Sequence, residues 1–434
     1  MKPLNSIRAF WSKQKQLFTP FVLQLLVIMF LIEFVKGAIL ISILPVYMQS
    51  ALSLSAVIIG WTLAVQYIGD NAFRGPIGWV IDKAGYRPVM LTGVALTFIS
   101  VLMLVLFSHF AWLIVACALL GIGTSPLWPC VITGATESGG QEANGTMMSV
   151  IYMSWLTGVG LGPIVINFFV TDTYATAFRI LLVLTGLSVI IAMFLPGQKG
   201  GGGYRAVYQL WKARPSRGNA RPLSERLEAW TADRIRRSRQ YIAEVKASLH
   251  VSWVFYPALF LQTFAIGLLT PVLTIYARSV LELTPAQYSL FLVLGGGITV
   301  LFLIPVGKLV DRFGARKFVN AGLLVSSSAL MLFTVSENVT TLFMMVTLLG
   351  CGFALIIPSW NALIASVIPK EKRGAVWGFF LTIEGSGTVL GPIVSGLLSD
   401  HIGYHAPFIA SGIVILVMFV LQLFIFIDRK VVVR

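Results

Sequence analysis

The chain has 434 residues, of which 57% are hydrophobic and only 11% are charged, and its mean hydropathy is +0.86. Soluble domains carry about 25% charged residues, so this composition excludes an ordinary soluble protein and predicts repeated passage through a membrane. The net charge of +15 could indicate a nucleic-acid partner, but the lysines and arginines gather in the N-terminal arm, in alternate loops and at the tail. That distribution is typical of cytoplasmic segments of membrane proteins, so we expect no nucleic-acid binding.

Twelve apolar segments are each long enough to cross a hydrocarbon core as a helix, which takes about 20 residues. A helix closes its backbone hydrogen bonds within one segment, as a bilayer requires. The predicted segments are residues 21–49, 54–80, 88–108, 110–134, 146–170, 176–196, 251–279, 285–310, 316–335, 340–366, 373–398 and 406–427. The sequence therefore predicts an all-α membrane protein with 12 transmembrane helices in two six-helix bundles.

A basic interval separates the two groups of six segments. Residues 197–250 hold twelve lysines and arginines against four acidic residues, so the positive-inside rule places them, with both termini, on the cytoplasmic side. Apolar residues recur there at roughly helical intervals, which favours either a basic amphipathic helix on an anionic leaflet or a solvated linker helix. The predicted organisation is a cytoplasmic arm (1–20), an N-terminal bundle (21–196), the linker (197–250), a C-terminal bundle (251–428) and a cytoplasmic tail (429–434).

Two short motifs each occur twice. The pattern G-x-x-x-D-[KR]-x-G-x-R follows the second segment and returns with identical spacing 229 residues later, after the eighth. A second pattern, G-x-x-x-G-P, begins at Gly158 and again at Gly387. Motifs repeated at matching places in two halves indicate an internal repeat. The candidate gating residues in the two copies of the first motif are Gly78, Asp82 and Arg87, and Gly307, Asp311 and Arg316.

These motifs resemble the signature of the major facilitator superfamily, and the resemblance covers essentially the whole chain outside the linker. It implies two bundles that rock about a central cavity, with the turn motifs latching the cytoplasmic side when the cavity faces outwards. Gly78 and Gly307 would then allow close helix contact. Asp82 and Asp311 would pair with a nearby arginine or cap a helix N-terminus. The alternative is a purely structural turn.

Four ionisable residues lie at mid-depth in the first two segments. Glu33 and Lys36 are three residues apart, so they share one helix face. Asp70 and Arg74, four apart, share another, and the four could form one network. Desolvation and a nearby cation act in opposite directions on the proton affinity of a carboxylate, which suits a proton-coupled carrier. The alternative is a permanently paired network that fixes helix packing.

A catalytic function is not expected. No nucleophile, metal site or nucleotide-binding loop accompanies the acids at mid-depth. The three cysteines, Cys117, Cys130 and Cys351, lie in apolar segments and show no metal-ligand spacing. We therefore expect the protein not to be an enzyme and to need no metal or cofactor.

The candidate substrate-binding residues in the first half are aromatic. Trp128 lies between two prolines in the fourth segment, and Tyr152 and Trp155 lie in the fifth. Their flat faces suit stacking on sugar rings or cations. A lone buried tryptophan more often serves packing, and that interpretation stays open here.

The second half contributes fewer polar candidates. Only Glu384 is charged at depth, besides Lys308 near a helix end, and we add Trp360 and Asn361 to the predicted substrate-binding set. One half is thus polar and charged while the other is mainly apolar and aromatic. An amphiphile with a polar head and apolar tails would match that division.

Several segments look like the lipoteichoic-acid glycolipid flippase of Gram-positive bacteria, notably FLIEFVKG, SPLWP, YMSWLTG, IIPSWNA and VWGFFLTIEGSGTVLGP. That family is a proton-coupled antiporter that moves a diacylglycerol-linked disaccharide from the inner to the outer leaflet. The resemblance implies proton exchange at Glu33 and Asp70, and headgroup contact at Trp128 and Trp155. Lys36 stands where that family has arginine, and Arg74 and Glu384 stand where neutral residues are expected.

The leading hypothesis is therefore a proton-coupled glycolipid flippase in the bacterial plasma membrane, with Lys36 and Arg74 tuning the two acids. Its expected partners are protons, an amphiphilic substrate and membrane lipids, and we expect a monomer. The alternative is a drug/proton antiporter of the same superfamily, which shares the acidic membrane residues and the aromatic cavity. A third class, a non-transporting membrane sensor or scaffold, would not depend on Glu33 and Asp70.

Overall fold

A computed structural model describes residues 19–139, 144–170, 174–196, 236, 254–336, 338–367 and 373–424. Within those ranges the chain is helical and has no strand, which confirms the predicted all-α class. Most of the predicted arm, the linker other than residue 236, and the tail lie outside the described residues. Their boundaries and their cytoplasmic placement therefore stay predictions.

Twelve helical segments lie within the described residues, where twelve were predicted. They are α1 (Pro20–Ala51), α2 (Ala56–Ala84), α3 (Tyr86–Leu106), α4 (Phe110–Thr124 and Leu127–Gly139), α5 (Asn144–Asn167), α6 (Ala175–Met193), α7 (Phe255–Val280), α8 (Pro285–Phe313), α9 (Ala315–Phe333), α10 (Val339–Val367), α11 (Arg373–His401) and α12 (Ala406–Phe424). Ten of these are long and apolar enough to cross a membrane. The other two are α2, which contains four charged residues, and α9, a shorter helix whose first turn carries Arg316 and Lys317.

The internal repeat extends to backbone geometry. Ser55 caps the N-terminus of α2, and Thr284, 229 residues later, caps that of α8. Just before each cap stands a residue with positive φ, Ser53 at 52° and Glu282 at 53°. Because residues other than glycine rarely adopt this conformation, the same unusual turn at matching positions supports duplication of one six-helix unit.

The repeated G-x-x-x-G-P motif brings helices into backbone contact. A Cβ on Gly158 of α5 would lie 2.6 Å from the Phe30 carbonyl oxygen of α1. A Cβ on Gly387 of α11 would lie 2.5 Å from the Phe260 carbonyl oxygen of α7. The motif therefore performs the same task in each half, since only the absence of a side chain permits this approach.

The two halves meet at one end of the molecule, which we call the closed end. Asn167 of α5 donates its Nδ2 hydrogen to the Pro285 carbonyl oxygen at the start of α8, at 2.6 Å. Gln49 at the end of α1 donates to the Tyr404 hydroxyl between α11 and α12, at 2.8 Å. Thr274 of α7 bonds the Ile41 carbonyl oxygen of α1. Hydrogen bonds between halves thus tie the C-terminal ends of α1, α5 and α7 to their partners.

At the opposite end, the motif end, lie both copies of the Asp/Arg turn. Within the described residues, the predicted close helix contact at Gly307 is not formed in this conformation, because a Cβ there would meet no heavy atom within 4 Å. The physical reason is that α8 is uncovered at this level, where Ile304 is 61% exposed and Phe313 is 52% exposed. Asp311 and Arg316 are exposed as well. The side chain of Asp82 and the surroundings of Gly78 lie outside the described part of the chain.

In the first copy of the motif, Arg87 has a defined partner. Its Nη2 donates to the Met193 carbonyl oxygen at the end of α6, at 2.8 Å. The preceding turn passes through Gly85, whose φ of 84° is matched by 88° at Gly314 in the second copy. Glycine reaches this region without the steric cost that other residues bear, which explains its place in both copies.

Candidate functional site

Lys36 joins two acids at the centre of the first half. Its Nζ lies 3.1 Å from Glu33 Oε1 on its own helix and 3.6 Å from Asp70 Oδ2 on α2. Arg74 Nη2 lies 2.9 Å from the same Asp70 oxygen. Three ion pairs therefore connect all four residues, which confirms the predicted network between α1 and α2.

The two acids of the network are buried, whereas one of its cations, Arg74, is partly exposed to solvent. Glu33 is 0% exposed and Asp70 is 3% exposed. The Lys36 side chain is 12% exposed, and that of Arg74 is 30% exposed. Because Arg74 lies one turn closer to the motif end than Asp70, the network reaches the surface on that side. In this conformation both carboxylates are almost completely shielded from solvent.

Small residues on neighbouring helices let the charged segments approach. Gly158 of α5 lies against α1, and a Cβ there would be 3.3 Å from the Glu33 Cβ. Gly121 of α4 lies against the α2 backbone, where an added Cβ would be 2.9 Å from the Asp70 nitrogen. Close backbone contact on two sides holds both acids away from lipid, as ionisable residues inside a membrane require.

Several polar atoms of the network lack a hydrogen-bond partner within the described residues. These atoms are Glu33 Oε2, Asp70 Oδ1 and Arg74 Nε. Both polar atoms of Gln66, one helical turn before Asp70, are also buried and unpartnered. Gln66 was not predicted from the sequence, because a single amide in an apolar segment carries no charge. Its spacing of four residues from Asp70 was the available signal.

Three aromatic rings form one cluster in the first half. The Trp128 and Trp155 ring centroids are 5.7 Å apart, and the Trp128 and Tyr152 centroids are 5.4 Å apart, both in edge-to-face orientation. A turn at residues 125–126 interrupts α4 just before Trp128. Tyr152 is 38% exposed, while the two tryptophans are half-buried. The rings therefore pack on one another and still leave accessible surface.

Glu384 of α11 is an acid of the second half whose carboxylate influences Tyr152 of this cluster. It is half-buried, and Tyr152 of α5 lies within electrostatic range of its carboxylate. Thr263 of α7 donates its hydroxyl hydrogen to the Glu384 carbonyl oxygen at 2.6 Å, which fixes the helix at this level. The acid thus faces the aromatic cluster from the other half of the molecule.

Trp360 does not take the position predicted for a substrate contact. It is 1% exposed, and its ring stacks on Phe255 with centroids 5.9 Å apart, inside the core of the second half. Its indole N–H lies close to the Glu384 carboxyl group without forming a hydrogen bond of ordinary geometry. Adjacent helix positions point about 100° apart, so Trp360 faces the core while its neighbour Asn361 is exposed.

Comparison with known proteins agrees with this architecture. The family described as Major Facilitator Superfamily matches residues 25–255 and again residues 255–433. A protein named proton-coupled antiporter flippase LtaA from Staphylococcus saprophyticus is 26% identical over 87% of this chain and 86% of its own length. The protein of the same name from Staphylococcus aureus strain USA300 is 27% identical over 91% of this chain and 92% of its own.

Solved structures show the same fold at low identity. The crystal structure of the nucleoside transporter NupG superposes with a TM-score of 0.68 at 16% identity, covering 93% of this chain and 98% of that one. A POT family transporter in complex with 5-aminolevulinic acid gives a TM-score of 0.69 at 16% identity, covering 94% and 96%. The two family matches span nearly the whole sequence and coincide with its two six-helix units. This multi-pass membrane protein is therefore a transporter that belongs to the major facilitator superfamily.

Proposed function

We propose that this chain is a proton-coupled antiporter that flips a glycolipid anchor, of the disaccharide-diacylglycerol type used in lipoteichoic acid assembly, by alternating access. It would act as a monomer in a bacterial plasma membrane, with both termini cytoplasmic and the basic linker lying on the anionic leaflet. The observation that carries the proposal is the unequal character of the two halves: the charged network and the Trp128, Tyr152 and Trp155 cluster lie on one side.

The polar half suits a sugar head. Desolvating a hydroxyl group without a partner costs about 1–3 kcal/mol by mutational data, so a disaccharide cannot cross hydrocarbon unaided. The cluster of Trp128, Tyr152 and Trp155 offers ring faces for stacking, and Glu384 offers an acceptor opposite them. Asn361, which is exposed, adds an amide on α10. Trp360 would lie on the core side of Glu384 and hold its carboxyl group in position, without contacting the sugar.

The second half suits acyl tails. Phe260 and Phe264 of α7 stack with ring centroids 5.2 Å apart, and both are half-buried. Phe379 and Tyr256 form a further edge-to-face pair at 6.1 Å on α11 and α7. Apolar surface of this kind accommodates hydrocarbon without a desolvation cost. A small hydrophilic solute would gain no binding energy from such an apolar surface.

The charged network would supply the coupling. Asp70 and Glu33 would exchange protons, and Lys36, which contacts both, would redistribute between them as one acid is neutralised. The driving force is about 1.4 kcal/mol per pH unit and about 2.3 kcal/mol per 100 mV for each charge moved. A permanently paired network would have the same geometry, and the two differ only in whether Asp70 exchanges protons during transport.

Alternating access would require the closed end to separate and the motif end to close. In the second state the turns at Gly78, Asp82 and Arg87 and at Gly307, Asp311 and Arg316 would meet the opposite half. The relatives from two staphylococci bear names that state proton-coupled flipping. At 26% and 27% identity, those names support the proposal for this chain.

The test is headgroup-resolved flipping by purified protein in vesicles. Fluorescent diglucosyl-diacylglycerol should reach the opposite leaflet faster under a pH gradient, and Asp70→Asn should abolish that acceleration while the folded protein is retained. Efflux of cationic dyes from cells, without glycolipid flipping, would favour the drug/proton antiporter instead. Unchanged gradient-driven flipping by Asp70→Asn would count against proton exchange at this network.

A further inference from the structure

Gln66 on α2 carries a buried amide group whose hydrogen-bonding capacity is not satisfied by any described residue in this conformation. It is 0% exposed, and neither Oε1 nor Nε2 has a hydrogen-bond partner within the described residues. Leaving both ends of an amide unpaired in an apolar interior is costly. Native proteins pair nearly all buried polar groups, so a group left unpaired calls for a specific reason. A hydrogen bond formed in another state of the transport cycle would be such a reason.

The position of Gln66 relative to Asp70 is informative. Gln66, Asp70 and Arg74 follow one another at intervals of four residues, so they lie along one face of α2. Arg74 lies toward the motif end and is 30% exposed, whereas Gln66 lies toward the closed end and is sealed. Asp70 is therefore flanked by a cation that reaches the surface on one side and by an unused amide on the other.

On α2 itself, Tyr67 lies within electrostatic range of Glu33, Lys36 and Asp70, and the neighbouring helices bring few other charged groups near this face. From α1 come Glu33 and Lys36, both joined to Asp70 through the ion pairs. From α4 comes Gly121, which packs on the backbone between Gln66 and Asp70 and brings no side chain. From α11 comes Gly385, in contact with Asn71, with Glu384 beside it in sequence. The free Asp70 Oδ1 and the free amide are thus unpaired groups one turn apart.

We propose that Gln66 positions Asp70 for proton exchange with the closed-end side once that end has opened. The proton moves between Asp70 Oδ1 and water entering from that side. The Gln66 amide accepts a hydrogen bond from the protonated carboxyl group, or donates one to the carboxylate, without gaining or losing a proton itself. In the conformation described here, the partly exposed Arg74 lies between Asp70 and the surface at the motif end. The inference rests on the proposed proton coupling and adds the route to the second face.

The first experiment compares two buried side chains on α2. Gln66→Leu removes the amide at similar volume, and Thr62→Val removes a buried hydroxyl that bonds only its own helix, at the Ile58 carbonyl oxygen. In reconstituted vesicles, Gln66→Leu should lower gradient-driven transport by about tenfold or more, equivalent to about 1.4 kcal/mol. Flipping without a pH gradient should stay at the wild-type rate, and the apparent unfolding temperature should stay the same or rise, because leucine removes an amide that is buried without a partner. Thr62→Val should match the wild type in all three.

A second readout needs no knowledge of the substrate. Spin labels on cysteines introduced at Phe194 and Lys317, exposed on the two halves at the motif end, report its separation as a function of pH. Gln66→Leu should move the midpoint of that pH response, because it removes the amide proposed to hydrogen-bond Asp70 in one of the two states. Thr62→Val should leave the midpoint in place.

The outcomes separate the two proposals. Wild-type pH response and gradient-driven transport in Gln66→Leu would overturn the role of the amide while leaving proton coupling intact. The spin-label distance at the motif end could also be independent of pH in both the wild type and Asp70→Asn. That result would overturn the proton coupling and the Gln66 inference together. If the protein does not flip the glycolipid, the pH dependence of the spin-label distance still tests the role of Gln66, because that measurement needs no substrate.

Discussion

Asp400, at the end of α11, caps the first turn of α2 at Ala56, across the boundary between the two halves. Its Oδ1 accepts a hydrogen bond from the Ala56 N–H at 2.9 Å, and its Oδ2 accepts one from the Val57 N–H at 3.0 Å. A carboxylate at a helix N-terminus meets both unpaired donors and the positive end of the helix dipole. Opening of the closed end must break this pair.

We therefore expect Asp400→Ala to favour separation of the closed end. Ser55 remains the N-cap of α2, and Asp400 adds a carboxylate to the same turn. A carboxylate at a helix N-terminus contributes about 0.3–2 kcal/mol, so its loss would increase the population open at that end by roughly 2- to 30-fold. Labelling of a cysteine introduced at Gln49 should become correspondingly faster. His401→Ala is the matched control, because His401 is exposed and bonds only the Leu397 carbonyl oxygen of its own helix. Equal labelling of both variants would contradict the role of the cap.

Two glycines of α5 should differ in their tolerance of alanine. A Cβ on Gly162 would collide with the Phe34 carbonyl oxygen of α1, whereas one on Gly160 would meet no heavy atom within 4 Å. Gly162→Ala should cost about 1–3 kcal/mol through overpacking. Gly160→Ala should be neutral or stabilise by about 0.5–1 kcal/mol through its helix preference. Thermal unfolding of purified protein measures both, and similar unfolding temperatures would contradict this packing.

Lys36 should tolerate arginine but not leucine. Lys36→Leu leaves Glu33, which is 0% exposed, without its cation, and breaking a buried pair in this way costs about 3–5 kcal/mol. Lys36→Arg keeps the charge and offers a forked donor to both acids. We expect low yield and early unfolding for the leucine variant, and near-normal unfolding with retained gradient-driven transport for the arginine variant. A stable Lys36→Leu protein would show that the acids are not held by this lysine.

Removal of one ring should separate binding from packing in the aromatic cluster. Trp128→Ala should weaken glycolipid binding by about 0.5–1.5 kcal/mol beyond any effect on folding, since a stacking face is lost. Trp112→Ala is the control, because Trp112 stacks on Phe107 at 5.0 Å on an exposed part of the same helix and lies outside the cluster. Binding of fluorescent glycolipid to detergent-solubilised protein, normalised to folded protein, makes the comparison. Equal losses of binding and yield would indicate a packing role.

The two charged pairs at mid-depth, Glu33 with Lys36 and Asp70 with Arg74, could be predicted from sequence because the spacing within each helix is short-range information. Their union into one network required contact between α1 and α2. The helices themselves follow from composition, and their boundaries agree with the expected ones within a few residues in most cases. Trp360 could not be placed from sequence, since its burial against Phe255 involves a helix about a hundred residues away in the chain. The same holds for the uncovered position of Gly307.

The sequence by itself determined the number of spans, the duplication of a six-helix unit and the residues that bear charge within the membrane, because hydropathy and local spacing encode all three. Only the tertiary structure decided that Lys36 bridges Glu33 and Asp70, that Asp400 joins α11 to α2, and that the Gln66 amide has no hydrogen-bond partner among the residues the structure describes. Those relationships depend on which helices are neighbours and which end of the bundle is closed. Contacts between residues far apart in the chain set both, and no local pattern records them.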